Sequence, residues 1–149
     1  MASTLTSLLY HVVFSTKGRR PFIDADLSER LYQYIAGIAR ANSALVIEIN
    51  GVPDHVHILL KLRPSASLAH IVQMIKAGSS KWMREEVQMR TFSWQGGYAG
   101  FTVSESVLER VRAYVQRQKE HHAQHSFEDE LRLFVEKHRI KYDEKYLVD

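Results

Sequence analysis

The hydrophobic positions of this chain switch between two periods, and the order of the switches predicts a fold. Residues 6–15, TSLLYHVVFS, concentrate aromatic and β-branched types and then run into the polar, basic TKGRR, which predicts a strand entering a loop. After Pro21, the apolar positions Leu27, Leu31, Tyr34, Ile35 and Ile38 recur at helical spacing, with Asp24 placed to cap them, so a helix is expected until ANS. ALVIEIN then alternates as a strand, GVPD at 51–54 carries turn chemistry, and HVHILLKL at 55–62 follows as the hairpin partner until Pro64 stops it. From Ser67 the set Leu68, Ile71, Val72, Ile75, Trp82 and Met83 sits at three-and-four spacing. Gln73, Lys76, Ser80, Lys81 and Arg84 fall largely away from it, so this second helix has one basic face. The loop TFSWQGG leads to a short apolar stretch, YAGFTV. Ser106 and Glu109 then predict a capping box that opens a third helix through about His125. The tail, residues 126–149, reads as a helix plus a short C-terminal segment.

The order β-α-β-β-α-β followed by an extra helix is the split βαβ, or ferredoxin-like, pattern of the α+β class, in one domain over residues 1–149. In that antiparallel sheet both crossover helices lie on one face, which leaves the third helix free to cover the other. Val56, Ile58, Leu60 and Leu62 line one side of the 55–62 strand, and His55, His57, Leu59 and Lys61 line the opposite side. Two same-side imidazoles can reach one cation together, or they can simply occupy a partly wet face.

The third helix decides between these readings. Val107, Leu108, Val111 and Val115 anchor it. At 100° per residue, Tyr114 lies about 20° from Val107 and Gln118 about 20° from Val111. A Tyr-x-x-x-Gln pair therefore continues the packing stripe, while Gln116 and Arg117 point elsewhere; His121, His122 and His125 are either ligands or a solvated helix end, and the solvated end is the favoured reading. Tyr114 beside His55, His57 and Gln118 makes a nucleophile next to a three-ligand cation site. Asp54 is placed either to orient one histidine from behind or to serve only as a turn residue.

Composition narrows the chemistry. With 149 residues and 45% hydrophobic content the chain can form one core unaided. Twenty Lys and Arg against seventeen Asp and Glu leave a formal charge of +3, which permits a polyanionic partner. Cysteine is absent, which excludes disulfides, thiolate zinc sites and a Cys nucleophile and leaves any metal to His, Gln, Asp or Glu. Hard or borderline divalent ions suit such donors. LLYHVVF is too short for a membrane span and lacks a basic flank, so neither a signal peptide nor a membrane anchor is expected, and the expected location is cytoplasmic.

DHVHILL, SWQGGYAGFTVS, YVQRQKEHH and FEDELRLFVEKHRIKYDEKYLVD occur in an order that resembles the single-tyrosine HUH transposases of insertion sequences and their REP-associated relatives. Val148 stands where a tail tryptophan is expected, and Val115 where isoleucine is usual. The resemblance implies cleavage and rejoining of single-stranded DNA through a covalent 5′-phosphotyrosine on Tyr114. It implies magnesium or manganese held by His55, His57 and Gln118, recognition of a DNA hairpin, and a homodimer, for which the edge stretch YAGFTV is a pairing site. Lys17, Arg19, Arg20, Lys76, Lys81 and Arg84 are candidate phosphate contacts, and Trp94 or Tyr98 candidate base-stacking groups. Two other classes compete: a non-catalytic ferredoxin-like nucleic-acid-binding module, and a metal-dependent hydrolase, for which the sequence reading places no acidic ligand.

Overall fold

The computed structural model describes residues 2–147, and Val148 lies outside them. The order is β1 (Leu9–Ser15), α1 (Ala25–Ala41), β2 (Ala44–Val52), β3 (His55–Leu62), α2 (Leu68–Glu85), β4 (Ala99–Thr102), α3 (Leu108–Gln116), α4 (Gln118–His122) and α5 (Phe127–Lys137). The strands form one antiparallel sheet in the order β2-β3-β1-β4, the arrangement the two hydrophobic periods predict. No helix among the described residues is long and apolar enough to cross a membrane.

One face of the sheet carries the main core. The Asp24 side chain accepts the Leu27 N–H at 2.8 Å and starts α1, which buries Leu27, Leu31, Ile35 and Ala39. Ser67 caps α2 in the same way, and that helix buries Ile71, Val72, Ile75 and Met83. Both pack on Val12, Phe14, Val56, Ile58 and Leu60. Trp94 meets Phe14 and Phe92 edge to face, and its indole N–H donates to Ser79 Oγ at 2.9 Å. It is buried, so it offers no free face to a base. Lys76 Nζ donates to the Gln95 and Gly97 carbonyls at 2.7 Å each, and Gln95 Oε1 in turn accepts the Ser15 N–H at 2.7 Å. The loop before β4 is thereby tied to the end of β1.

The β2–β3 hairpin fixes which residues of β3 face away from this core. Val52 pairs with His55 across Pro53 and Asp54, and Gly51 with Val56. A Cβ on Gly51 would collide with the His55 carbonyl, so this close approach requires glycine.

The second face is covered by three helices. Around Leu9, Leu59 and Val103 pack Val107, Leu108 and Val111 from the start of α3 and the turn before it. Phe127, Leu131 and Val135 of α5 cover Val13 and Phe101. The single helix expected through His125 is broken, because the backbone leaves helical geometry at Arg117 (φ −100°, ψ 22°). The Tyr114 carbonyl accepts from the Arg117 N–H at 3.2 Å and from Gln118 Nε2 at 3.4 Å, and Asn50 Nδ2 takes the Gln116 carbonyl at 2.9 Å. These bonds compete with the helical ladder. The expected capping box at Ser106 and Glu109 is also replaced: Ser104 accepts the Ser106 N–H, and a 3-10 turn over Glu105–Val107 leads into α3.

Candidate metal and nucleophile site

The site is built on the second face, where alternation places His55 and His57 side by side with neither exposed. His55 Nδ1 lies 2.7 Å from Asp54 Oδ1. His57 Nδ1 lies 2.8 Å from Nε2 of His11, a buried residue of the neighbouring strand β1. A third imidazole enters from α4, where His122 Nδ1 sits 2.8 Å from the His125 carbonyl. Each ring thus has its Nδ1 engaged and its Nε2 turned inward.

The inward atoms meet a carboxylate from α5. Glu130 Oε1 is 2.9 Å from His57 Nε2, 3.0 Å from His122 Nε2 and 3.4 Å from His55 Nε2. The Nε2 atoms of His55 and His122 are 2.9 Å apart. All four donor atoms lie within 4.8 Å of one another. The other Glu130 oxygen, Oε2, accepts the Tyr114 hydroxyl, and His121 Nε2 lies 3.2 Å from that hydroxyl.

Burial and charge act together here. Burial, then the neighbouring His57 charge, lowers the His11 pKa to about 3. Burial lowers His57 to about 4 against the opposing pull of Glu130. Burial also disfavours charge on His55, but hydrogen bonds to Asp54 and Glu130 outweigh it and hold its pKa above the ordinary value. Burial would raise Glu130, yet bonds from His122, His55 and His57 hold it well below the usual carboxylate range. Burial, followed by the Glu130 charge, pushes the Tyr114 phenol up, so the hydroxyl keeps its proton.

Of the residues singled out from sequence, His55, His57 and Tyr114 come together around Glu130, and Asp54 takes its position behind His55. Gln118 is fully buried in the first turn of α4; its Nε2 bonds the Tyr114 carbonyl, while its Oε1 has no partner. A buried acceptor without a partner is a position that a cation or a donor would satisfy. His122 is not part of a solvated helix end: its side chain is only 9% exposed and joins the cluster. The basic candidates divide. Lys76 and Arg84 bond loop carbonyls, and Arg19 pairs with Glu128 at 2.8 Å. Lys17, Arg20 and Lys81 are exposed. Sequence reasoning passed over His11, His122 and Glu130, and also Arg110 and Arg117, which flank Tyr114 in a surface cleft of about 550 Å³.

Comparisons with known proteins assign a family. Residues 4–118 match the family described as IS200-like transposase. The ISDra2 transposase TnpA of Deinococcus radiodurans is 28% identical over 117 residues, covering 74% of this chain and 84% of that protein. The transposase of insertion sequence element IS200 from Salmonella typhimurium is 24% identical over 126 residues, covering 80% of this chain and 82% of its own length. Among solved structures, a REP-associated tyrosine transposase bound to a REP hairpin superposes with a TM-score of 0.63 at 12% identity, over 82% of this chain and 72% of that one. The family match takes in the sheet, the histidine pair and Tyr114, and on that extent the chain belongs to the IS200-like transposases.

Proposed function

We propose that this transposase cuts and rejoins single-stranded DNA through a covalent 5′-phosphotyrosine on Tyr114, assisted by magnesium or manganese at His55, His57 and Gln118. The observation that carries the reading is the placement of the Tyr114 hydroxyl on the same carboxylate that bridges the imidazoles. The donors fit an ion, because three Nε2 atoms turn inward and the Gln118 carbonyl is unpartnered. A bound divalent ion supplies charge that offsets the negative phosphodiester.

Tyr114 Oη forms a bond to phosphorus as the bond to the 3′ oxygen breaks, and the phenolic proton ends on the released 3′-hydroxyl. Attack by a second 3′-hydroxyl reverses the exchange and regenerates tyrosine, so the bond energy is kept in the phosphotyrosine. Within the one chain, Tyr114 faces the histidine pair, its ring 5.9 Å from that of His57. Arg110 and Arg117 flank the cleft over Tyr114, and Lys17, Arg20 and Lys81 add exposed positive charge for the phosphates. The hairpin bound by the REP-associated neighbour supports a stem-loop substrate. The outer edge of β4, which pairs only with β1, suits a second copy in a homodimer.

The test incubates the full chain, manganese and a pool of labelled single strands carrying stem-loops, followed by denaturing electrophoresis. A protein–DNA adduct that disappears in Tyr114→Phe is expected. Binding without adduct would overturn the reading in favour of a non-catalytic nucleic-acid-binding module. Nicking that survives Tyr114→Phe would overturn it in favour of a hydrolase, to which Glu130 would lend the missing acidic group.

A further inference from the structure

We infer that His122 and Glu130 are ligands of the metal centre, giving three imidazoles and one carboxylate that hold later first-row divalent ions more tightly than magnesium. This rests on the proposed metal dependence and extends it to two residues that lie beyond the segment matched by the family, which ends at residue 118.

The first argument is where the protons must be. The Asp54 carboxylate and the His125 carbonyl accept hydrogen bonds and cannot donate them. His55 and His122 therefore each hold a proton on Nδ1, which leaves Nε2 to face inward. The Nδ1 of His57 is engaged in the same way, 2.8 Å from Nε2 of His11. Three Nε2 atoms then face one carboxylate oxygen across separations of 2.9 to 3.4 Å. Nitrogens gathered this closely on one buried carboxylate call for positive charge among them, which a divalent ion supplies. Tying the outer nitrogen of each imidazole to a partner is also how proteins orient metal-binding histidines.

The second argument is burial. Glu130 is 3% exposed, and His55 and His57 are not exposed at all. A carboxylate so placed requires cationic charge nearby, and it shares one small volume with three imidazoles from β3 and α4.

The third argument is donor type. Four of the six donor–donor separations, 2.9 to 3.4 Å, fit edges of a coordination shell with metal–ligand bonds of about 2.0–2.1 Å, roughly 2.9 Å for an octahedron and 3.4 Å for a tetrahedron. Distance thus admits both kinds of ion, and the donors decide. Magnesium takes oxygen ligands and releases water reluctantly, whereas imidazoles suit iron, cobalt, nickel and zinc. Two imidazoles and an amide leave magnesium competitive; three imidazoles do not.

The experiment titrates cobalt(II) into the full chain, freed of metal by chelation, and follows the visible absorption of the ion alongside calorimetry. One ion per chain is expected, undisturbed by millimolar magnesium. His122→Ala and Glu130→Gln should each weaken it roughly tenfold or more, since loss of an orienting partner alone lowers affinity by about 10- to 100-fold. His70→Ala, at an exposed histidine on α2, should match the wild type. Wild-type affinity and spectrum in both His122→Ala and Glu130→Gln would overturn the inference, as would displacement of cobalt by magnesium. X-ray absorption on the wild type counts imidazoles without any variant: three support the assignment and two refute it. A Tyr114 adduct with only two imidazoles would sink this inference and leave the proposed function standing; three imidazoles without an adduct would do the reverse.

Discussion

Lys76→Met tests whether the basic face of α2 serves the fold or the DNA. The substitution keeps an unbranched stem on Phe14, over whose ring Nζ sits at 5.5 Å, and removes only the charge and its two hydrogen bonds. Hydrogen bonds to charged groups contribute about 1.5–3 kcal/mol each. The Gly97 carbonyl is at the surface and is rehydrated when the lysine is lost, whereas the Gln95 carbonyl is partly buried and is not. The net loss is therefore about one such bond, ~1.5–3 kcal/mol, or a drop of roughly 3–10 °C in Tm for a domain of this size. Loosening Gln95 also loosens its hold on Ser15, which pairs with His55, so metal affinity should fall modestly as well. Urea unfolding measures the first effect, and single-stranded DNA affinity across a salt series separates it from direct contact. Unchanged stability with a salt slope shallower by about 0.7, the value for one lost phosphate contact on a single strand, would refute the reasoning and make Lys76 a DNA ligand.

Asp54→Ala should weaken metal binding about 10- to 100-fold, or ~1.4–2.8 kcal/mol, with little change in urea midpoint; equal affinity by calorimetry would reduce Asp54 to a turn residue. Gly51→Ala should destabilise the protein by about 1–3 kcal/mol, because the new methyl displaces the His55 backbone, and thermal melts with and without cobalt should both register it. Trp94→Phe should lower stability by about 1 kcal/mol or more through loss of the indole bond to Ser79, while DNA affinity stays at the wild-type level. Charge reversal at Arg20 and Lys81 should weaken DNA binding and flatten its salt dependence without altering cobalt affinity; binding that ignores both changes would make them plain surface charge.

The sheet and its first two helices were legible because period-2 and period-3.6 patterns, caps and turn residues all pointed the same way. Asp24 and Ser67 cap the helices they were expected to cap. The site was half legible. Alternation put His55 and His57 on one side, and the same rule, applied to β1 beside β3 in this topology, would have added His11. Glu130 left a signal too. Phe127, Glu130, Leu131, Phe134 and Val135 follow the i, i+3, i+4, i+7, i+8 stripe of a helix, with an acid at a core position. Seven residues after Tyr114, His121 also lies only about 20° off the tyrosine stripe. The position of His122 was not legible from helical period. On one unbroken helix it would sit about 80° from Tyr114, and it reaches the cluster past a break made by Asn50, a residue of another element. Lys76 and Trp94 illustrate a related point: composition marks a residue as basic or aromatic, and only tertiary contacts say whether that group is already committed.

The register of one hairpin governs the chemistry of the whole site. Because side chains alternate along a strand, a shift of β3 by one residue would turn His55 and His57 into the core between α1 and α2 and bring Val56 and Ile58 to face Glu130. The two-residue turn at Pro53–Asp54 and the tight approach at Gly51 hold the register from one end. The loop anchored by Gln95 and Lys76 holds β1, the partner strand, from its Ser15 end. Both constraints act within a few residues of His55, through backbone contacts and a loop that do not involve the helices carrying Tyr114, His122 and Glu130. The strand histidines are thus positioned by the sheet and the remaining groups by α3, α4 and α5, two bodies that meet at the Glu130 carboxylate. An ion held at that junction would be bonded to both, so its binding free energy would also hold the tyrosine-bearing layer against the sheet.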